Sequence, residues 1–137
     1  AYWAHVGDSR IYQVRDHNIV RRTRDHSHVE VLLREGLIEE GEIKSHPMRN
    51  FVECCLGGDR ALPDMSISGR IALEDGDVLV ACTDGFWSGL EDKDIESLGE
   101  GQRPLDQLLN KTSERAVSNN APHSDNTSAL AMVWRAD

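Results

Sequence analysis

Residues 78–87 read "VLVACTDGFW", and the placement of this stretch governs the reading of the whole chain. The run from Val78 to Cys82 is apolar without the alternation of a half-exposed strand, so it is apolar on both faces and expected to be central in a sheet. It then stops on Asp84 and Gly85, followed by two aromatic residues, Phe86 and Trp87. A carboxylate at that point is either a turn-maker, since Asp-Gly is a common turn pair, or a ligand, since a rigid strand end holds a ligand accurately. Phe86 and Trp87 read as packing that buttresses the turn.

Upstream, "YWAHV", "RIYQV" and "IVRRT" read as strands, with "GDS" and "RDHN" as the turns between them. Ser27 is placed to cap a helix with Val29, Leu32 and Leu33 on one face and Gly36 at its end. The segment "LIEEGEIKSHPMRN" predicts a short helix and an exposed loop, "FVECCL" a brief strand, and "GGDRALPD" a loop. "MSISGRIAL" alternates Met65, Ile67, Ile71 and Leu73, a half-buried strand, and "EDGD" turns the chain into Val78. Downstream, Leu105, Leu108, Leu109 and Ala116 fall at helical spacing, with Pro104 suited to a first turn. "NTSALAMVW" is a last apolar strand. Strands outnumber helices and come in hairpin-like runs, so the expected class is α+β, antiparallel sheet flanked by helices.

The chain has 137 residues, enough for one domain, with 39% apolar and 28% charged residues and a formal charge of -9. That charge argues against nucleic acid and against anionic membrane surfaces as partners. No apolar run approaches the roughly 20 residues that span a bilayer. Cys54, Cys55 and Cys82 show no CxxC spacing and are an odd number, so they suggest neither zinc nor a disulfide framework. Reduced thiols in a cytoplasmic protein are expected. The chain opens in mid-strand pattern without Met, which reads as a piece of something longer.

Three aspartates share one context, the edge of a strand next to Gly, Ser or Asn: Asp8 in "VGDSR", Asp84 in "CTDGFW" and Asp125 in "HSDNTSALAMVW". Singly, each is an ordinary turn residue. If their strands are neighbours, the carboxylates gather at one sheet edge. Two such groups about 4 Å apart repel by roughly 4 kcal/mol at an effective dielectric of 20, so protons or cations must neutralise them. All-carboxylate ligation suits Mg²⁺ or Mn²⁺ better than Zn²⁺. Gly85 and Ser124 are small enough to leave room for the waters of a metal.

In order, "AHVGDSRIY", "TRDHSHVEVLLREGLI", "HPMRN", "LEDGDVLVACTDGFWSGLED" and "SDNTSALAMVW" resemble the successive motifs of the metal-dependent PP2C (PPM) protein phosphatases, in a bacterial style. The resemblance implies part of an α-β-β-α sandwich with two, and in some members three, Mn²⁺ or Mg²⁺ ions between its sheets. It implies that Asp84 and Asp125 are metal ligands, that Asp8 helps hold a third, weaker ion, and that Asn126 orients the cluster beside them. The activity implied is hydrolysis of phosphoserine and phosphothreonine esters on signalling proteins by a metal-activated water. The family's "DGxGG" motif, its phosphate-gripping arginine and its proposed histidine acid match nothing in residues 1–137. The chain therefore reads as the C-terminal portion of such a domain, nearly inactive alone, with association through exposed sheet faces expected. The rival reading is a non-catalytic binding module of the same fold, and a phosphatase of small molecules is a third.

Other candidates carry less. Arg49, in "HPMRN", could fork onto a substrate phosphate or simply be a solvated loop arginine. His26 and His28 diverge at i, i+2 and read as surface, His5 as packing, and His123 as a residue near the mouth of the site. No "GxSxG" elbow supports a serine nucleophile.

Overall fold

A computed structural model of the chain describes residues 1–49, 51–57, 63–101 and 103–136. In chain order its elements are β1 Ala4–His5, β2 Arg10–Arg15, β3 Asn18–Arg22, α1 His28–Arg34, a 3-10 turn Glu40–Ser45, β4 Ser66–Ile67, β5 Val78–Cys82, α2 Asp84–Trp87, α3 Asp92–Glu96, a second 3-10 turn Ser97–Gly99, α4 Leu105–Asn120 and β6 Ala129–Val133. They fall into two compact units. A sheet unit comprises Ala1, Arg10–Thr23 and Ile71–Asp137, and a loop unit comprises Tyr2–Ser9 and Arg24–Arg70. Antiparallel sheet and helices make the expected α+β class.

The sheet unit is built on four strands in the order β3-β2-β5-β6, all antiparallel. β5 is interior, as its unbroken apolar run predicts, and pairs β2 through Tyr12↔Val80 and Val14↔Val78. Those residues share one face and, with Cys82, pack against Phe86, Leu90, Ile95, Leu98, Leu108 and Ala116 from the helices. The β2–β3 hairpin turns on Asp16 and His17, both left-handed at φ 47° and 62°. Two successive positive φ values match the twist of a two-residue hairpin, and Asp and His tolerate that region better than most residues. α4 buries Leu108, Thr112 and Ala116, a stripe at every fourth position, and the Thr112 hydroxyl is satisfied by donating to the Leu108 carbonyl at 2.9 Å.

Asp77 was expected only as part of the "EDGD" turn, which does form, with Asp77 N–H bonded to the Glu74 carbonyl at 3.0 Å. Its side chain, however, is fully buried. It accepts from Gln13 Nε2 at 2.8 Å, from Arg15 Nε at 2.7 Å and Nη2 at 2.8 Å, and from the Glu74 N–H at 2.9 Å. This bidentate pair, charge-assisted and fully bonded, ties β2 to the turn before β5.

In the loop unit, β1 and β4 form a two-residue ladder, Ala4↔Ile67 and His5↔Ser66. α1 starts after Ser27 and ends before Gly36 at φ +71°, as expected, but the Ser27 hydroxyl makes no cap bond. Two strand expectations are corrected. "MSISGRIAL" is not one half-buried strand: β4 is two residues long, Met65 and Ile67 are exposed, and only Ile71 is deeply buried. The strand stops at Ile67, and the chain passes from one unit to the other at Arg70–Ile71. "FVECCL" contributes a single bridge, Val52 to Ser27, because the Phe51 N–H is spent on the Met48 carbonyl in a turn. Most of the "GGDRALPD" loop lies outside the described residues. α3 had no counterpart in the sequence reading. Glu91 and Asp94 start it, the Glu91 N–H donating to Asp94 Oδ2 at 3.0 Å.

Candidate functional site

The antiparallel pairing of β5 and β6 sets Cys82 opposite Ala129, so the end of one strand and the approach to the other share a sheet edge. Asp84 follows the first and Asp125 precedes the second. Thr83 locks the two segments together. Its N–H donates to the Ser128 carbonyl at 3.0 Å and its hydroxyl to the Asn126 carbonyl at 3.1 Å, while the Ser128 N–H donates back to Thr83 Oγ1 at 3.1 Å.

Gly85 shows how close the segments come. A Cβ there would lie 2.6 Å from the Asn126 carbonyl oxygen and 3.0 Å from that of Asp125, so a side chain cannot fit without displacing backbone. The Gly85 carbonyl accepts from Thr127 Oγ1 at 3.1 Å and from Asn120 Nδ2 at 3.3 Å, anchoring the turn to β6 and to α4. Each carboxylate also steadies itself locally. Asp84 Oδ1 accepts from the Gly85 N–H at 2.9 Å and Asp125 Oδ1 from the Asn126 N–H at 2.6 Å. Asp84 is half-buried, whereas Ser124, Asp125 and Asn126 are exposed.

Asp84, Gly85, Ser124, Asp125 and Asn126 thus occupy one edge of the sheet unit. Asp8 and Arg49 belong to the loop unit, Asp8 half-buried after β1 and Arg49 exposed. No group of three or more His, Cys, Asp or Glu side chains among the described residues could hold a metal ion. The two aspartates at the sheet edge offer a hard, all-oxygen donor pair, which fits part of a Mn²⁺ or Mg²⁺ centre and leaves the remaining ligands to be supplied. Sequence reasoning missed Thr83, Asn120 and Thr127, the groups that fix the geometry. The hydroxyls flanking "DG" and "DN" were its available signal.

The histidines also read differently in three dimensions. His26 and His5 stack with centroids 4.7 Å apart. His26 Nδ1 accepts from the Gly7 N–H at 3.3 Å, Nε2 pairs with Ser66 Oγ at 2.8 Å, and the His26 N–H returns to the Gly7 carbonyl at 2.8 Å. His26 is therefore a clasp on the "GDSR" turn rather than a surface residue. His28 does diverge from it, toward Glu53 at 2.8 Å. His123 is exposed.

No protein-family model matches the chain. Among curated proteins, phosphatase PhpP of Streptococcus pneumoniae is 34% identical over 140 residues, covering 100% of this chain and 54% of that protein. Among solved structures, the serine/threonine phosphatase of S. agalactiae superimposes with a TM-score of 0.79 at 35% identity, covering 97% of this chain and 54% of that one. The catalytic domain of the phosphatase PstP, solved with two manganese ions, gives 0.68 at 25%, covering 95% and 51%. The fold is that of a PP2C-like α+β domain. The chain belongs to the PP2C (PPM) family of serine/threonine protein phosphatases. It spans about half the length of the relatives it matches.

Proposed function

We propose that this chain is the C-terminal portion of a metal-dependent protein serine/threonine phosphatase and supplies two carboxylate ligands, Asp84 and Asp125, to its metal centre. The observation that carries this reading is the sheet edge where β5 ends and β6 is approached, with Gly85 too tightly placed against Asn126 to bear a side chain. Mn²⁺ or Mg²⁺ bound there would lower the pKa of a coordinated water and neutralise charge on phosphoryl oxygens. Asp84 and Asp125 hold the cation, Gly85 lets their segments meet, and Asn126 orients the second carboxylate through its own N–H. Asp8 is assigned to a weaker third ion and Arg49 to contact with substrate phosphate. The substrates are phosphoserine and phosphothreonine proteins, and the location is cytoplasmic.

The test is Mn²⁺-dependent phosphate release from a phosphothreonine peptide, for the parent protein and for Asp84→Asn. Release by the parent, lost in the variant by at least about a hundredfold, is expected, since removing a charge-stabilising group typically costs that much or more. A fully folded parent that binds Mn²⁺ and releases no phosphate would instead make it a binding module.

A further inference from the structure

Asp84 begins a helix of only four residues, α2, which Trp87 closes. One isolated turn of helix cannot hold its own geometry, because nucleation fixes several dihedrals for a single hydrogen bond. Beyond the local bond from the Gly85 N–H, what orients the turn carrying Asp84 must come from tertiary contacts. Phe86 is fully buried in the core and the Gly85 carbonyl is anchored as described above.

The contact at the far end of the turn is made by Arg10. This residue opens β2 opposite Cys82, and its guanidinium carbon lies 3.4 Å from the centroid of the Trp87 ring. The guanidinium is itself held, Nη1 donating to the Tyr12 hydroxyl at 3.1 Å. Tyr12 is buried, and that burial pushes its phenol above the ordinary value, with Arg10 opposing, so the hydroxyl stays neutral and accepts the bond. A cation stacked on an indole is worth more the less water reaches it, and Trp offers the strongest aromatic face for it. Arg10 is the arginine of "GDSR" and Trp87 the second ring of "TDGFW", so the pair joins two motifs 77 positions apart.

We propose that the Arg10–Trp87 stack is a positioning device for Asp84, pinning the end of α2 to β2 and thereby setting the affinity of the sheet edge for a divalent cation. This rests on the proposed phosphatase reading, in which Asp84 is a ligand. Arg10 and Trp87 are positioning residues. A lysine at position 10 would keep the charge and lose the planar stack, which separates the stack from a simple field effect.

The experiment is titration of the full protein with Mn²⁺ alone, reading free Mn²⁺ by electron paramagnetic resonance well below each variant's unfolding temperature. Arg10→Lys and Trp87→Leu are each expected to weaken binding about three- to tenfold, within the range of a partly desolvated cation–π contact. Trp87→Phe retains most of the affinity, and the double variant binds no more weakly than the weaker single one, because the two side chains act as a unit. Arg10→Lys binding as the parent does, while Asp84→Asn has lost binding, overturns the positioning role and leaves the phosphatase reading standing. Single effects that multiply in the double variant overturn it too. Undiminished binding by Asp84→Asn sinks both readings. Should Arg10→Lys fail to fold, Trp87→Phe against Trp87→Leu carries the same comparison.

Discussion

Asp77 shows how much one carboxylate can organise. Its hydrogen bonds with Arg15, outweighing the cost of burial, and those from Glu74 and Gln13 lower its pKa from 3.8 to about 2. A carboxylate with a depressed folded pKa contributes stability that is complete above the unfolded value of 3.8 and is lost as pH falls toward about 2. Urea unfolding at pH 7, 4 and 2 should show that loss in the parent and a flatter dependence in Asp77→Asn. At pH 7 Asp77→Ala is expected to cost about 3 kcal/mol, since Gln13 Nε2 and the Glu74 N–H lose their buried acceptor and Arg15 its counter-charge. A parent whose stability is the same at pH 4 and pH 2 would show that Asp77 titrates normally.

At the scale of elements, the contact of α2 with α4 is set by a glycine. A Cβ at Gly89 would press on the Ala116 carbonyl oxygen and lie 2.8 Å from Asn120 Nδ2. The same neighbourhood carries the bonds from Asn119 Nδ2 to the Gly89 carbonyl at 2.8 Å and from Asn120 Nδ2 to Ser88 Oγ at 3.1 Å. Gly89→Ala should therefore push the two helices apart and cost about 2 kcal/mol, the usual scale of overpacking, seen as a lowered midpoint in thermal unfolding. An unchanged midpoint would mean that α4 shifts freely. The Gly89 approach was invisible in the sequence because it depends on a helix about 27 residues further on. The amphipathic stripe of α4, by contrast, was legible directly, because helical period is a local property.

For the whole molecule, the division into two units predicts that they respond differently to acid. Burial first, then the neighbouring His5, lowers the pKa of His26 from 6.5, with Asp64 and Asp25 opposing. The unfolded chain then takes up a proton that the folded loop unit resists. Stability from this site is present above pH 6.5 and declines as pH falls below it. Protonation of Nδ1 also removes the acceptor for the Gly7 N–H. Hydrogen-exchange protection of the Gly7 amide should fall between pH 7 and 5 while that of β2 and β5 amides holds. Equal loss in both units would show that His26 does not govern the difference.

The sequence alone determined the α+β class, the interior position of β5, the β2–β3 hairpin, both ends of α1, the span of α4 and the family, because each rests on local periodicity, turn chemistry or ordered short motifs. The three aspartates at strand edges were legible in the same way. Which strands adjoin was not, and only the antiparallel β5–β6 register placed Asp84 and Asp125 on one edge. Only the tertiary structure turned Asp77 from a turn residue into a buried partner of Arg15, cut "MSISGRIAL" between two units, and set Arg10 on Trp87. The Arg15–Asp77 and Arg10–Trp87 pairs join residues about 60 to 80 positions apart, and their stability comes from burial and partners supplied by the fold, which local pattern cannot encode.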